Sequence, residues 1–262
     1  MRRSLLFVLL ALLPLGLIAA AEVPPALDIP TTEAPTAAPQ SLDAERVKRG
    51  NAVYDRYCIS CHGVEGDGRG YSAPWLDPAP RDFTRGVFKW RSTPSGSLPT
   101  NEDLMRTLTV GLFHTNMPSW GVLGERNLRD VVEYLKTFSP AWKEQAPAAP
   151  IQIPAEPTND AVSREKGGEV WTRLACASCH GATGKGDGPS GSTLVDDWGH
   201  KILPHDFTRG HYLKCGDRSE DLYRVFMTGM SGTPMPSYAE SLSPAEAWSL
   251  VHYVQSLVHE EP

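Results

Sequence analysis

Apolar residues recur at helical spacing in three stretches of each half of this chain. Residues 43–57 place Val47, Val53, Tyr54 and Tyr57 on one face, and Val170, Trp171 and Leu174 repeat the arrangement further on. A middle helix is expected over 102–110 and again over 220–228. The last stripe of each half is the strongest: Leu128, Val131, Val132 and Leu135, then Trp248, Val251, Val254 and Leu257. Ser243-Pro244-Ala245-Glu246 opens the second of these with a capping box and a proline at the first helical position. The prediction is an all-α protein. Gly50 and Gly168 each stand eight residues before a cysteine, inside the first helix of their half. Glycine is costly there, so a close crossing by the last helix is the expected reason.

The halves are copies. A shift of 118 positions lays Asn101-Glu102-Asp103-Leu104 on Ser219-Glu220-Asp221-Leu222 and Met117-Pro118-Ser119-Trp120 on Met235-Pro236-Ser237-Tyr238. Two small helical domains follow, 41–139 and 159–262, each near 100 residues. Between them 140–158 is rich in proline and alanine and reads as a semi-stiff exposed linker. Residues 22–40 have a similar composition and read as a second spacer. At the start, Arg2 and Arg3 precede an apolar run over 5–20 broken by Pro14 and Gly16, and Ala19-Ala20-Ala21 suits a cleavage site. This reads as a signal peptide over 1–21. An uncleaved membrane anchor is the alternative, because the run lies at the lower length limit for a span.

The same shift superimposes Cys58-Ile59-Ser60-Cys61-His62 on Cys176-Ala177-Ser178-Cys179-His180. Cysteines at i and i+3 of a helical turn project to one side, so both sulfurs can form thioethers with one porphyrin, and the next histidine can reach its iron. A redox dithiol would not need that histidine, and a zinc site would need two further ligands. Two covalent haems of c type are therefore expected, on Cys58, Cys61, Cys176 and Cys179, with His62 and His180 as iron ligands. Met117 and Met235 each lie 55 residues beyond their histidine, each before Pro-Ser and an aromatic residue. Both are expected as the sixth ligands, since a soft thioether fills the open position and raises the potential. Met105, Met227 and Met230 read as ordinary core residues. His114, His200, His205 and His211 could compete for iron, but none recurs in both copies. Cys215 is the odd cysteine, 35 residues after His180, and reads as an unpaired thiol.

These residues resemble a known family, the tandem di-haem cytochromes c of class I from bacterial periplasms. The shared pattern is Cys-x-x-Cys-His-Gly, then Gly-Asp-Gly (66–68 and 186–188), then Asp-Phe-Thr-Arg-Gly (82–86 and 206–210), then Met-Pro-Ser. The resemblance implies that a proline carbonyl receives the Nδ1–H of the proximal histidine. Pro204 is the candidate in the second copy, and Pro80 or Pro78 in the first. It also implies that Arg85 and Arg209 meet haem propionates. The implied function is single-electron transfer in the periplasm between a redox protein donor and an acceptor, with no catalytic residues. The alternatives are a thiosulfate dehydrogenase-like or peroxidase-like enzyme, and a fixed electron-transfer subunit of a larger oxidoreductase, including a membrane complex.

Charge narrows the partners. The chain carries a net −6, and loss of Arg2 and Arg3 with a leader would make it more negative, which argues against nucleic acid or an anionic lipid surface. Residues 43–140 hold 13 basic and 12 acidic side chains, whereas 159–262 hold 9 and 14, so the two domains present different fields to their partners. Charge reversal on the second domain is expected to change the rate of electron transfer and its salt dependence. Unchanged rates across a salt series would contradict this.

Overall fold

A computed structural model describes residues 41–210, 213–216 and 218–258. The expected signal peptide and first spacer, and His211, lie outside these residues. Among the described residues no helix is long and apolar enough to cross a membrane.

The first half is built from α1 (Ala44–Tyr57), the short turn α2 (Ile59–His62), α3 (Asn101–Val110) and α4 (Glu125–Leu135). A short helix, α5 (Ala141–Glu144), follows, and the second half repeats the set as α6 (Ala161–Arg173), α7 (Ala177–His180), α8 (Ser219–Thr228) and α9 (Pro244–Ser256). Local chemistry sets the starts. The Asp43 carboxylate accepts from the amides of Glu45 and Arg46, and Thr100 and Ser243 close capping boxes with Asp103 and Glu246. Leu128, Val131, Val132 and Leu135 are buried as expected, and so are Trp248, Val251 and Val254.

The helices cross where glycine allows it. A β-carbon on Gly50 would run into the Asp130 carbonyl oxygen and lie 2.8 Å from Cβ of Tyr134, so α1 touches the α4 backbone directly. Arg49 then forks onto Asp130 at 2.7 and 3.0 Å, which pairs a carboxylate that burial would otherwise penalise. In the second half the expectation of Gly168 is corrected. Gly167 is the residue against the α9 backbone, at the Ser249 carbonyl, while Gly168 meets only the ring edge of Tyr253 at 3.3 Å. The cause is one extra residue, Ala175, held at φ 53° between α6 and the attachment turn. The amide of Cys58 bonds to Tyr54 O, four residues back, but that of Cys176 reaches five back to Trp171 O. Tyr54 therefore corresponds to Trp171.

The constant shift of 118 also conceals a compensated exchange. Ten residues separate Gly70 from Pro80, against sixteen between the equivalent Gly188 and Pro204. Fifteen separate Gly86 from Asn101, against nine between Gly210 and Ser219. Six residues gained before one motif are lost after it, and both longer segments serve the contact between the halves. From the first, Arg91 is only 3% exposed and donates to Thr228 O at 2.6 Å, the C-terminal end of α8. Near the other end of α8, Arg106 of α3 meets Asp221 at 2.6 Å and donates to Cys215 O at 2.9 Å. Two cations of the first half thus hold one helix of the second, the upper one where carbonyls and the helix dipole favour positive charge.

The linker is no free spacer. Trp142 of α5 is buried and packs edge-on against Phe88, Ile151 N bonds to Ser92 O, and Ile153 packs on the second core. Trp248 Nε1 donates to Pro154 O at 3.2 Å, and Glu156 pairs with the buried His252 at 3.1 Å. Proline and alanine build no core themselves, but the extended stretch after α5, without internal hydrogen bonds, leaves its carbonyls free for neighbours.

Gly50→Ala and Gly167→Ala should each destabilise the haem-loaded protein by about 2 kcal/mol through overpacking against backbone. Gly168→Ala should stay within about 0.5 kcal/mol of the parent, its contact offset by helix propensity. Denaturant unfolding compares the three, and equal losses at Gly167 and Gly168 would refute the register.

Candidate haem sites

Each attachment turn is the continuation of a core helix. Cys58 caps α1 and begins α2, and Cys176 stands in the same relation to α7. Both are half-buried against their domain core, and burial pushes their thiols up, to about 12 for Cys58 and about 11 for Cys176. None of the five cysteines is in a disulfide. Gly63 and Gly181, both at φ 79°, reverse the chain directly after the histidine.

The chain then wraps the turn with three amides. Gly68, Gly70 and Ser72 donate to His62 O, Cys61 O and Ser60 O at 3.0, 3.1 and 2.9 Å, and Gly186, Gly188 and Ser190 donate to His180 O, Cys179 O and Ser178 O at 2.8, 3.2 and 2.9 Å. This pairing corrects the motif register. Gly66-Asp67-Gly68 corresponds to Gly184-Lys185-Gly186, not to 186–188. A side chain on Gly188 would meet Ser178 O at 2.6 Å, so the loop lies directly on the turn.

His62 is oriented from the proximal side. Its Nδ1 lies 3.0 Å from Arg81 O, and its ring stacks on Phe83 at 4.6 Å between centroids. The expected proline carbonyls are therefore corrected. Pro80 O faces Gly68, 2.7 Å from where a β-carbon would stand, and Pro204 O faces Gly186 in the same way. Successive carbonyls point apart, so the one after the proline reaches the imidazole. In the second copy that residue is His205; Nδ1 of His180 is buried facing its carbonyl without closing a bond as the first copy does. Burial lowers the pKa of both histidines, which favours the neutral imidazole that ligates metals. With Nδ1 engaged, Nε2 is the ring nitrogen of His62 through which a metal could be bound.

The methionine loops match bond for bond. Thr115 Oγ1 donates to Leu112 O at 2.8 Å and accepts from Met117 N at 3.0 Å, and Thr233 Oγ1 does the same between Met230 O and Met235 N at 2.8 and 3.2 Å. Leu112 N and Met230 N close each loop on the methionine carbonyl at 3.0 and 3.1 Å. Ser119 and Ser237 pin the next turn to Thr109 O and Met227 O, both at 2.6 Å. Met117 packs on the cluster that holds Cys58, and Met235 on the one that holds Cys176. The two threonines escaped sequence reasoning, although Thr-x-Met-Pro stands in both copies. Half-buried paired cysteines, a largely buried imidazole and a braced methionine fit a covalent haem in each half.

The other expected residues take different places. Arg85 donates to Asp197 O at 3.1 Å, across the contact between halves, while Arg209 extends into solvent beside Asp206 at 3.1 Å. His200 is half-exposed near Asp196, and His114 faces His205 with ring centroids 6.3 Å apart. Among the described residues no cluster of three histidine, cysteine or acidic side chains offers a separate metal site.

Cys215 is pushed up to about 12 by burial and packs on the second core. A neutral thiol is a poor ligand and nucleophile. In the folded haem protein at neutral pH it should resist iodoacetamide, and Cys215→Ala should leave the visible spectrum unchanged. Rapid alkylation, or a spectral change in that variant, would show a thiolate at work.

Comparison with known proteins agrees with this geometry. Residues 164–258 match the family "Cytochrome c", and residues 45–135 match "Cytochrome C oxidase, cbb3-type, subunit III". The cbb3-type cytochrome c oxidase subunit FixP of Azorhizobium caulinodans is 25% identical over 232 residues, covering 84% of this chain and 62% of that protein. Subunit CcoP of Azospirillum brasilense is 26% identical over 215 residues, covering 79% and 61%. The chain thus spans about three fifths of the length of these relatives. A solved chain from the reducing HAO-like protein complex of Kuenenia stuttgartiensis superimposes with a TM-score of 0.80 and 41% identity, over 85% of this chain and 100% of that one. Matches to cytochrome c families over both halves, each containing one Cys-x-x-Cys-His turn, make the chain a di-haem class I c-type cytochrome that binds one covalent haem c per domain and transfers electrons.

Proposed function

We propose that the chain is an exported electron-transfer subunit of a larger oxidoreductase, carrying single electrons through two His/Met-ligated haems. Cys58 and Cys61 hold the first and Cys176 and Cys179 the second. His62 with Met117, and His180 with Met235, are the axial pairs. The observation that carries the reading is the threonine-braced methionine loop, built identically in both halves.

Bound haem supplies a one-electron ferric/ferrous couple. The chain does the rest by holding still. His62 is fixed by the Arg81 carbonyl and Phe83, each methionine is held by its own loop, and a ligand set that stays in place in both oxidation states needs little rearrangement. With both axial positions filled from the protein, substrate has no place at iron, and the partly buried Cys215, its thiol pushed up by burial, supplies no replacement ligand. A subunit is favoured over a freely diffusing carrier because the named relatives are oxidase subunits and the solved neighbour belongs to a protein complex. The periplasm remains the expected compartment, from the leader and from haem attachment.

Met117→Ala and Met235→Ala test the reading. Each should abolish the iron–sulfur charge-transfer band of one haem, lower that haem's potential and create one carbon monoxide-binding site, with the other haem unchanged. The parent protein should bind none. Carbon monoxide binding by the parent, or two haems indifferent to these substitutions, would favour the enzyme reading.

A further inference from the structure

We propose that Trp198 is a positioning residue that joins the ligand set of the first haem to that of the second, a role that rests on His62 and Met235 being axial ligands. It lies in the segment of the second half that is six residues longer than its counterpart. The tip is stiff: Asp196 Oδ1 accepts from Trp198 N and His200 N at 3.0 and 2.9 Å, and Val195 pairs with Lys201 beneath it.

From there the indole reaches the first half. Its Nε1 donates to Asp82 Oδ2 at 2.9 Å, and the guanidinium groups of Arg81 and Arg85 lie 4.2 and 4.8 Å from its ring. Arg81 is the residue whose carbonyl holds His62. On its other side the ring occupies the space beside Gly232, 2.5 Å from where a β-carbon would stand, and Asp197 N bonds to Gly232 O at 3.1 Å. Gly232 adjoins Thr233, the brace of Met235. One side chain therefore contacts the support of an axial ligand in each half.

The opposite contact shows why this one differs. His205 stands where the first half has Arg81, and His114 stands where the second has Gly232. Equivalent positions thus face each other twice, as in a two-fold interface. On one side two histidine rings meet at 6.3 Å, and only the other side carries an indole.

The direction of the effect follows from ligand chemistry. Loss of the ring releases Arg81 and weakens the hydrogen bond that makes His62 basic, which destabilises ferric iron and raises the first potential. It also loosens the Met235 loop, and weaker thioether ligation lowers the second.

The test is a spectroelectrochemical titration of the haem-loaded full chain, with each haem identified by the NMR signal of its methionine methyl. Trp198→Ala should shift the potentials in opposite directions, and Trp198→Phe, which keeps the ring and loses the Asp82 bond, should shift both less. Arg106→Gln loosens the same domain contact away from the ligand loops and should move neither. Unchanged potentials, a shift confined to the second haem, or equal shifts in Arg106→Gln would overturn the proposal. If Trp198→Ala fails to fold, unchanged potentials in Trp198→Phe overturn it equally. Absence of the methyl signals from the parent would instead refute the axial assignment.

Discussion

One five-residue helical turn must present two sulfurs and an imidazole to a single flat cofactor, and the fold of each half answers that demand. The turn cannot be an isolated helix, because so short a segment is unstable alone. It is therefore the extension of a longer helix whose own position is fixed by contact with the last helix of the domain. That contact is as close as peptide geometry permits, at Gly50 and Gly167, where the partner's backbone takes the place of a side chain. A loop of glycines then lies over the turn and caps its carbonyls one by one.

In the proposed ligand assignment, the opposite side of the iron is served by different means. A methionine cannot be tethered covalently, so its backbone is fixed by a threonine hydroxyl that donates and accepts within the same loop. Electron transfer gains from this stiffness, since a ligand that does not move imposes little reorganisation. The halves extend the same logic to each other. Buried Arg91 holds the end of α8 that leads into the second methionine loop, half-exposed Arg106 holds its far end, and the linker is fastened at Trp142, Ile151 and Pro154. Stiffness is thereby a property of the pair.

Much of this was legible in the sequence because periodicity and motif spacing record side-chain demands. The long helices, their caps, the paired cysteines and the repeated Met-Pro all express such demands directly. What stayed hidden belongs to the backbone or to the partner domain. Nothing in the apolar pattern announces that Ala175 adopts φ 53°, yet that one residue moves the crossing from Gly168 to Gly167. A carbonyl acceptor has no side-chain signature, so Arg81 could not be told from Pro80. The six-residue exchange was masked by its own compensation. Arg85 reads from the sequence as a propionate contact, and nothing there marks Trp198; both meet the other half only when the two halves are placed side by side.

The central claim is two closed His/Met centres in one rigid chain. Low-temperature electron paramagnetic resonance and magnetic circular dichroism of the oxidised protein, recorded through a potentiometric titration, test it most directly. The account predicts two low-spin haems, each with the methionine-to-iron charge-transfer band and each of high potential. A high-spin, bis-histidine or thiolate-ligated centre would contradict it.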